Sequence, residues 1–140
     1  MGKATRDLIN EHEAILHVFE ILDRALADST RKDEEMLKFG TELVQFLKTF
    51  ADQCHHGKEE DHLFKALVER GVPNQGGPVG AMLYEHRLGR EHIASMSASL
   101  QAGDLAGFKA SAVLYRDLLR SHIAKENNIL FAIADQVLDD

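Results

Sequence analysis

Two short runs in this chain carry the same spacing of a histidine and a glutamate. His56 and Glu60 lie in HHGKEEDHLF, and His122 and Glu126 lie in HIAKENNILF. Four residues make about one turn of α-helix, so each pair puts an imidazole and a carboxylate on one face, one above the other. The chain holds eight histidines, and position decides which of them matter. His12 and His86 each fall in the middle of an apolar stripe. A buried imidazole is tolerated when it has a hydrogen-bond partner, but an uncompensated carboxylate in a core costs several kcal/mol. Four imidazoles and two carboxylates aimed at one axis therefore ask for compensation, and a cation supplies it most simply. Nitrogen and oxygen donors together suit iron or manganese, and zinc accepts the same groups, whereas calcium takes oxygen alone. Six side chains with two carboxylates suit two ions better than one. The alternative is a buried polar network that holds no metal.

The elements that must position these residues follow from the breaks in the chain. The clearest is GVPNQGGP, which contains both prolines, Pro73 and Pro78. A second lies at ADSTRKD, with Ser29, Thr30 and Asp33 as candidate caps. A third is QAGD, where Gly103 can end one helix and Asp104 can cap the next. Between the breaks the apolar residues recur with helical period, and no segment alternates as a strand does. The expectation is an all-α fold, one domain over residues 1–140, with helices near 5–28, 33–70, 79–101 and 104–137. Four helices with short connections form an antiparallel up-down-up-down four-helix bundle.

On helical wheels the first helix buries Leu8, Ile15, Phe19, Leu22 and Leu26 around His12. The third buries Val79, Met82, Gly89, Ile93 and Leu100 around His86. The fourth buries Tyr115, Leu118, Ile129 and Ile133 around His122 and Glu126. The second helix is broken in phase. Leu43, Leu47, Phe50, Ala51 and Cys54 share one face, while His56, Glu60, Leu63, Phe64 and Leu67 share another. Supercoiling drifts a stripe by only about 20° per heptad, so a π-bulge between Gln53 and His56 is the expected source of the turn.

Composition bounds the rest. Hydrophobic residues make up 44%, enough for a core, and the formal net charge is -7 with no Lys/Arg-rich run. Nucleic acid and anionic membrane are not expected partners. The first residues, MGKATRDLINEHE, contain no apolar region of the kind a secretory signal needs, and no stretch reaches the length of a membrane span. Cys54 is the single cysteine, which excludes an internal disulfide and reads as an ordinary core residue. A cytoplasmic protein is the expectation.

Taken in order, H…HxxxE…H…HxxxE within HHGKEEDHLF, MLYEHRLGREHI and HIAKENNILF resembles the hemerythrin-like cation-binding family over nearly the whole chain. The resemblance implies a four-helix bundle with a non-haem pair of iron ions bridged by two carboxylates and an oxo or hydroxo group. By position the ligands would be His12, His56, Glu60, His86, His122 and Glu126. His55/Glu59 has the same spacing as His56/Glu60; the second pair is preferred because the family places a Leu-hydrophobe pair three residues after its glutamate, here Leu63-Phe64. Blood-pigment hemerythrins place an aspartate five residues after the last histidine; here that position is Asn127, which points off the stripe, so Glu126 is preferred. Their third helix carries a second histidine four residues after the first, and here Arg90 stands there. One imidazole is thus expected to be missing, leaving one ion more open, with Arg90 either pairing with a carboxylate or bound water, or extending to solvent. His17, His62 and His92 are expected at the surface; His55 and Glu59 border the site and are expected at the surface, the alternative being a place behind the ligands. The resemblance implies binding of dioxygen, peroxide or a similar small ligand, with catalase- or peroxidase-like turnover within reach. The alternatives are a non-enzymatic iron or oxygen sensor or carrier, and a structural protein holding zinc or manganese.

Overall fold

The computed structural model describes residues 2–138. These form four helical rods and no strand, with 88% of the described residues helical. Helix α1 is Lys3–Ala27. Helix α2 spans 33–69: it starts as an α-helix over Asp33–Phe46, widens into π-helical turns over Leu47–His56 and Glu59–Leu63, and ends as an α-helix over Phe64–Glu69. Helix α3 is Gly77–Gln101. Helix α4 spans 105–137, with α-helix over Leu105–Lys125, a π-helical turn over Glu126–Leu130, and α-helix over Phe131–Val137.

The rods end where the chain chemistry says they should. Pro78 sits in the first turn of α3, where its missing N–H costs nothing. Gly103 takes φ 71 after α3, and the Asp104 carboxylate then accepts from the Gly107 N–H at 2.9 Å to cap α4. Asp33, Glu34 and Glu35 fill the first turn of α2 and oppose its positive end. Asp33 is the first helical residue there rather than its cap, and the cap position is Lys32.

Neighbouring rods run antiparallel. The Thr5 hydroxyl donates to Asp135, joining the start of α1 to the end of α4, while Arg116 and Arg120 near the middle of α4 bond Asp23 near the end of α1. Gly89 lets α3 and α4 close up, since a Cβ there would stand 3.3 Å from the Tyr115 ring. Between the rods lie two separate apolar clusters. One holds Ile15, Phe19, Leu22, Leu43, Leu47, Ile93, Met96, Phe108, Tyr115 and Leu119; the other holds Leu8, Leu63, Phe64, Leu67, Val79, Met82, Leu130 and Phe131. The levels between them on each rod are His12, His55 to Glu59, His86 and His122 to Glu126, all buried at these named positions.

The π-helical turns change which residues face inward. A turn closed by i→i+5 bonds holds more residues than an α turn, so each one shifts the phase of everything after it. In α2 the widened stretch is longer than a single bulge at Gln53 to His56. It turns Cys54 out to solvent, so the free thiol is exposed and not in the core. In α4 the turn at Glu126–Leu130 overrides the wheel. Ile129 is 53% exposed, while Leu130 and Phe131 are buried at 1% each. Ile129→Ser should therefore change stability by no more than about 0.5 kcal/mol, whereas Leu130→Ala should cost about 2–5 kcal/mol. Urea unfolding of the two variants measures the difference, and the reverse ranking would mean that α4 keeps its α-helical phase throughout.

Candidate metal centre

Five imidazoles and two carboxylates converge between the apolar clusters. Ligand atoms of His56, Glu59, His86 and His122 lie within 4.8 Å of one another, as do those of His12, His55, Glu59 and Glu126. Glu59 belongs to both groups, and all seven residues are buried. The α2 geometry explains how two adjacent histidines both reach the axis: in the wider π turn successive side chains fan out by a smaller angle than in an α-helix. His12 and His55 meet edge to face with centroids 4.6 Å apart, and His56 stacks on His86 at 3.8 Å.

Each ring is held from behind. His55 Nδ1–H donates to Glu11 at 2.8 Å, His86 Nδ1–H to Glu60 at 2.8 Å, and His122 Nδ1–H to Glu85 at 2.9 Å. His56 Nδ1 faces Asp52 at 3.6 Å. His12 Nδ1–H donates to the Asn127 side-chain oxygen at 2.8 Å. The outer carboxylates are in turn met by cations: Lys58 on Glu11, Lys125 on Glu85, and Arg90 bridging Asp52 at 2.8 Å and Glu60 at 2.6 Å. A neutral imidazole that donates through Nδ1 carries its lone pair on Nε2. The outer ring of partners therefore points lone pairs at the axis.

The inner contacts then set acceptor against acceptor. His86 Nε2 faces His122 Nε2 at 3.1 Å, and Glu126 Oε1 lies 3.0 Å from His12 Nε2 and 3.1 Å from His122 Nε2. Glu59 Oε1 and Oε2, Glu126 Oε2 and His55 Nε2 are buried with no hydrogen-bond partner among the described residues. Such contacts need protons or cations between them. Imidazole nitrogens and carboxylate oxygens with no thiolate fit iron, manganese or zinc.

Protonation follows the same logic. Burial pushes Glu59 well above the ordinary carboxylate range, and the charge of Glu126 adds to the shift. Burial acts on Glu126 too, but the adjoining His12 and His122 rings outweigh it and hold its carboxyl well below the usual range. Two carboxyl groups this close in low dielectric oppose each other's ionisation, and the pair titrates as a unit. Burial also lowers His55 and His56 to about 4 each, with the charge of His12 as the next cause for His55. For His122, burial is outweighed by Glu126 and Glu85, and the ring titrates above its ordinary value. Tyr115, in the larger apolar cluster, has a hydroxyl without a partner among the described residues, and burial raises its phenol so that it stays protonated.

The residues singled out from the sequence are distributed as follows. His12, His56, His86, His122 and Glu126 stand in the two groups. Glu60 stands outside both, with its carboxylate on His86 Nδ1 and Arg90. His55 and Glu59, expected at the surface, are 0% exposed and face the axis. The imidazole expected to be missing is made good within α2, since His55 and His56 both point inward. Arg90 is 43% exposed but does not run free to solvent: it pairs with two carboxylates that back imidazoles. His17 and His62 are exposed and His92 is half-buried. The signal for the inward pair was present in HHGKEE, where two histidines stand four residues before two glutamates, but spacing alone does not rank the two pairs.

The family model for the hemerythrin HHE cation binding domain matches residues 3–134. The chain belongs to that family. Neither the curated proteins nor the solved structures that were compared gave a match. As a hemerythrin-like domain the bundle is expected to bind metal cations, and the two His/Glu groups are where it could hold them. No helix among the described residues is long and apolar enough to cross a membrane.

The shifts of His55 and His56 give the metal-free hemerythrin-like domain a pH dependence. In the unfolded chain these rings titrate near 6.5, and in the folded one at about 4. Between those values the unfolded state binds more protons, so stability falls as pH drops through the window. His86, also lowered by burial, adds to the fall, while the raised Glu59 works the other way. The urea midpoint of the metal-free protein should fall from pH 6.5 towards 4, and His55→Gln should flatten the slope. A midpoint constant over that range would mean that the rings are not held neutral.

Proposed function

We propose that this protein holds two iron ions side by side in the bundle and binds dioxygen, peroxide or a similar small ligand there, with peroxide turnover as the reaction the site is best arranged for. The observation that carries the reading is a pair of buried four-residue donor groups joined by a shared carboxylate. One group offers the imidazoles of His56, His86 and His122, the other those of His12 and His55 with the Glu126 carboxylate, and Glu59 is common to both. Four side chains at each position leave a six-coordinate ion room for a ligand from outside. When bound, the iron pair supplies redox chemistry and polarises an oxygen ligand.

The chain's own residues do the rest. Glu11, Asp52, Glu60, Glu85 and Asn127 fix the direction of the five rings. Phe131 stacks on His12 with centroids 5.4 Å apart, and Phe64 on His86 at 5.8 Å, which keeps water from the layer on that side. Lys58, Lys125 and Arg90 neutralise the outer carboxylates, so those groups remain acceptors rather than proton donors to the rings. Glu59 and Glu126 are the carboxyl groups that stand at the axis. A second reading, an iron sensor without turnover, draws support from the buried atoms left unpartnered without a cation.

Reconstitution with ferrous iron followed by metal analysis tests the proposal. We expect close to two irons per chain, a ferric charge-transfer absorption that changes on adding azide, and consumption of peroxide. Glu59→Ala should remove both full occupancy and turnover. Glu60→Ala should keep two ions and weaken binding by about 10–100-fold, as loss of an outer partner does. Absence of iron, or two ions retained in Glu59→Ala and lost in Glu60→Ala, would overturn the assignment. Full iron occupancy with no peroxide consumption would favour the sensor.

A further inference from the structure

The five rings are not backed alike. His56, His86 and His122 face Asp52, Glu60 and Glu85, three carboxylates. At the other position His55 is backed by the Glu11 carboxylate, but His12 donates to Asn127, a neutral amide. A carboxylate behind a ligating imidazole raises its basicity and strengthens its bond to a metal, and an amide fixes the ring without doing so. The outer charges point the same way. Among the outer groups, Asp52, Glu60 and Glu85 against Arg90 and Lys125 leave one net negative charge behind the first position, while Glu11 against Lys58 leaves none behind the second; at the axis the Glu126 carboxylate belongs to the second group alone, and the weaker backing of His12 has to outweigh it.

From this asymmetry, and resting on the two-ion reading above, we infer that the positions fill in a fixed order, His56/His86/His122 first and His12/His55 second, and that Asn127 is the positioning residue that makes the second ion the weaker and exchangeable one. Asn127 acts through His12: its oxygen meets Nδ1, on the far side of the ring from the axis, and its half-buried side chain is held there by the π-helical turn at Glu126–Leu130. An α-helical turn would point it off the stripe. The consequence is a site in which one ion is held firmly and the other can leave and return.

The test is a metal titration of the whole chain, with zinc as a redox-silent probe and iron under anaerobic conditions as the second. The wild-type protein should bind two ions in two resolved steps at least tenfold apart. Asn127→Asp should tighten the second step by about 10–100-fold and leave the first unchanged. A gain confined to one step cannot come from a damaged fold. Glu85→Gln should weaken the first step alone. In a His12→Ala background, Asn127→Asp should bring no gain, because the ring through which it acts is gone. Two equal steps in the wild type, an effect of Asn127→Asp on the first step or on neither, or a gain that persists without His12 (the new carboxylate then being a ligand itself), would each overturn the inference. Failure to bind any metal would instead overturn the two-ion reading on which it rests.

Discussion

Glu59 and Glu126 lie side by side in the middle of a helical bundle, ringed by five imidazoles and sealed on two sides by apolar clusters. Removing a carboxylate from water costs several kcal/mol unless something restores the lost hydration. Here hydrogen bonds restore only part of it. Glu126 Oε1 lies 3.0 Å from His12 Nε2 and 3.1 Å from His122 Nε2, but both oxygens of Glu59 and one of Glu126 stay without partners. The bundle therefore carries a standing electrostatic debt at its centre, and much of its construction is intelligible as a way of holding that arrangement until a cation settles it.

The holding is done in concentric shells. Inside are the lone pairs; behind each ring is a hydrogen-bond acceptor; behind four of the five acceptors is a cationic side chain on a neighbouring turn or rod. Because Glu11, Glu60 and Glu85 reach across from other helices, the same bonds that orient the rings also fix how the rods stand against each other. Arg90 does this twice, spanning Asp52 and Glu60 on α2 from its place on α3. Site and scaffold are thus one set of interactions. The ends of the rods need less of this, and are held by caps, by Thr5 on Asp135 and by apolar packing.

Much of this was legible in the sequence. Helical periodicity and two breaks with proline or glycine announced an all-α bundle, and His12, His86 and His122 could be placed in its middle because α1, α3 and the first part of α4 keep a regular α-helical phase. What could not be read was the phase where the helix widens. A wheel advances by a fixed angle, and nothing in LKTFADQCHH or ENNIL declares a π turn by composition. Hence Cys54 and Ile129 were expected inside and lie outside, while His55 and Glu59 were expected outside and face the axis. The phase break between the two halves of α2 was visible as a turned stripe, but the stripe says only that a shift occurs, not how many residues it spans. Arg90 shows a second limit. Its partners come from another helix, and no wheel reports what a long side chain finds across an interface.

If the central layer is compensated by metal, folding and metal binding are the same equilibrium. The most direct measurement is urea unfolding of the metal-free protein beside the iron-loaded one at neutral pH, followed by circular dichroism. A ligand present at a thousand times its dissociation constant stabilises the folded state by about 4 kcal/mol, so the loaded midpoint should lie well above the metal-free one, and Glu59→Gln should bring the two together. Coincident midpoints in the wild-type protein, with iron shown to be bound, would contradict the account, since the buried carboxylates would then be satisfied without the cation.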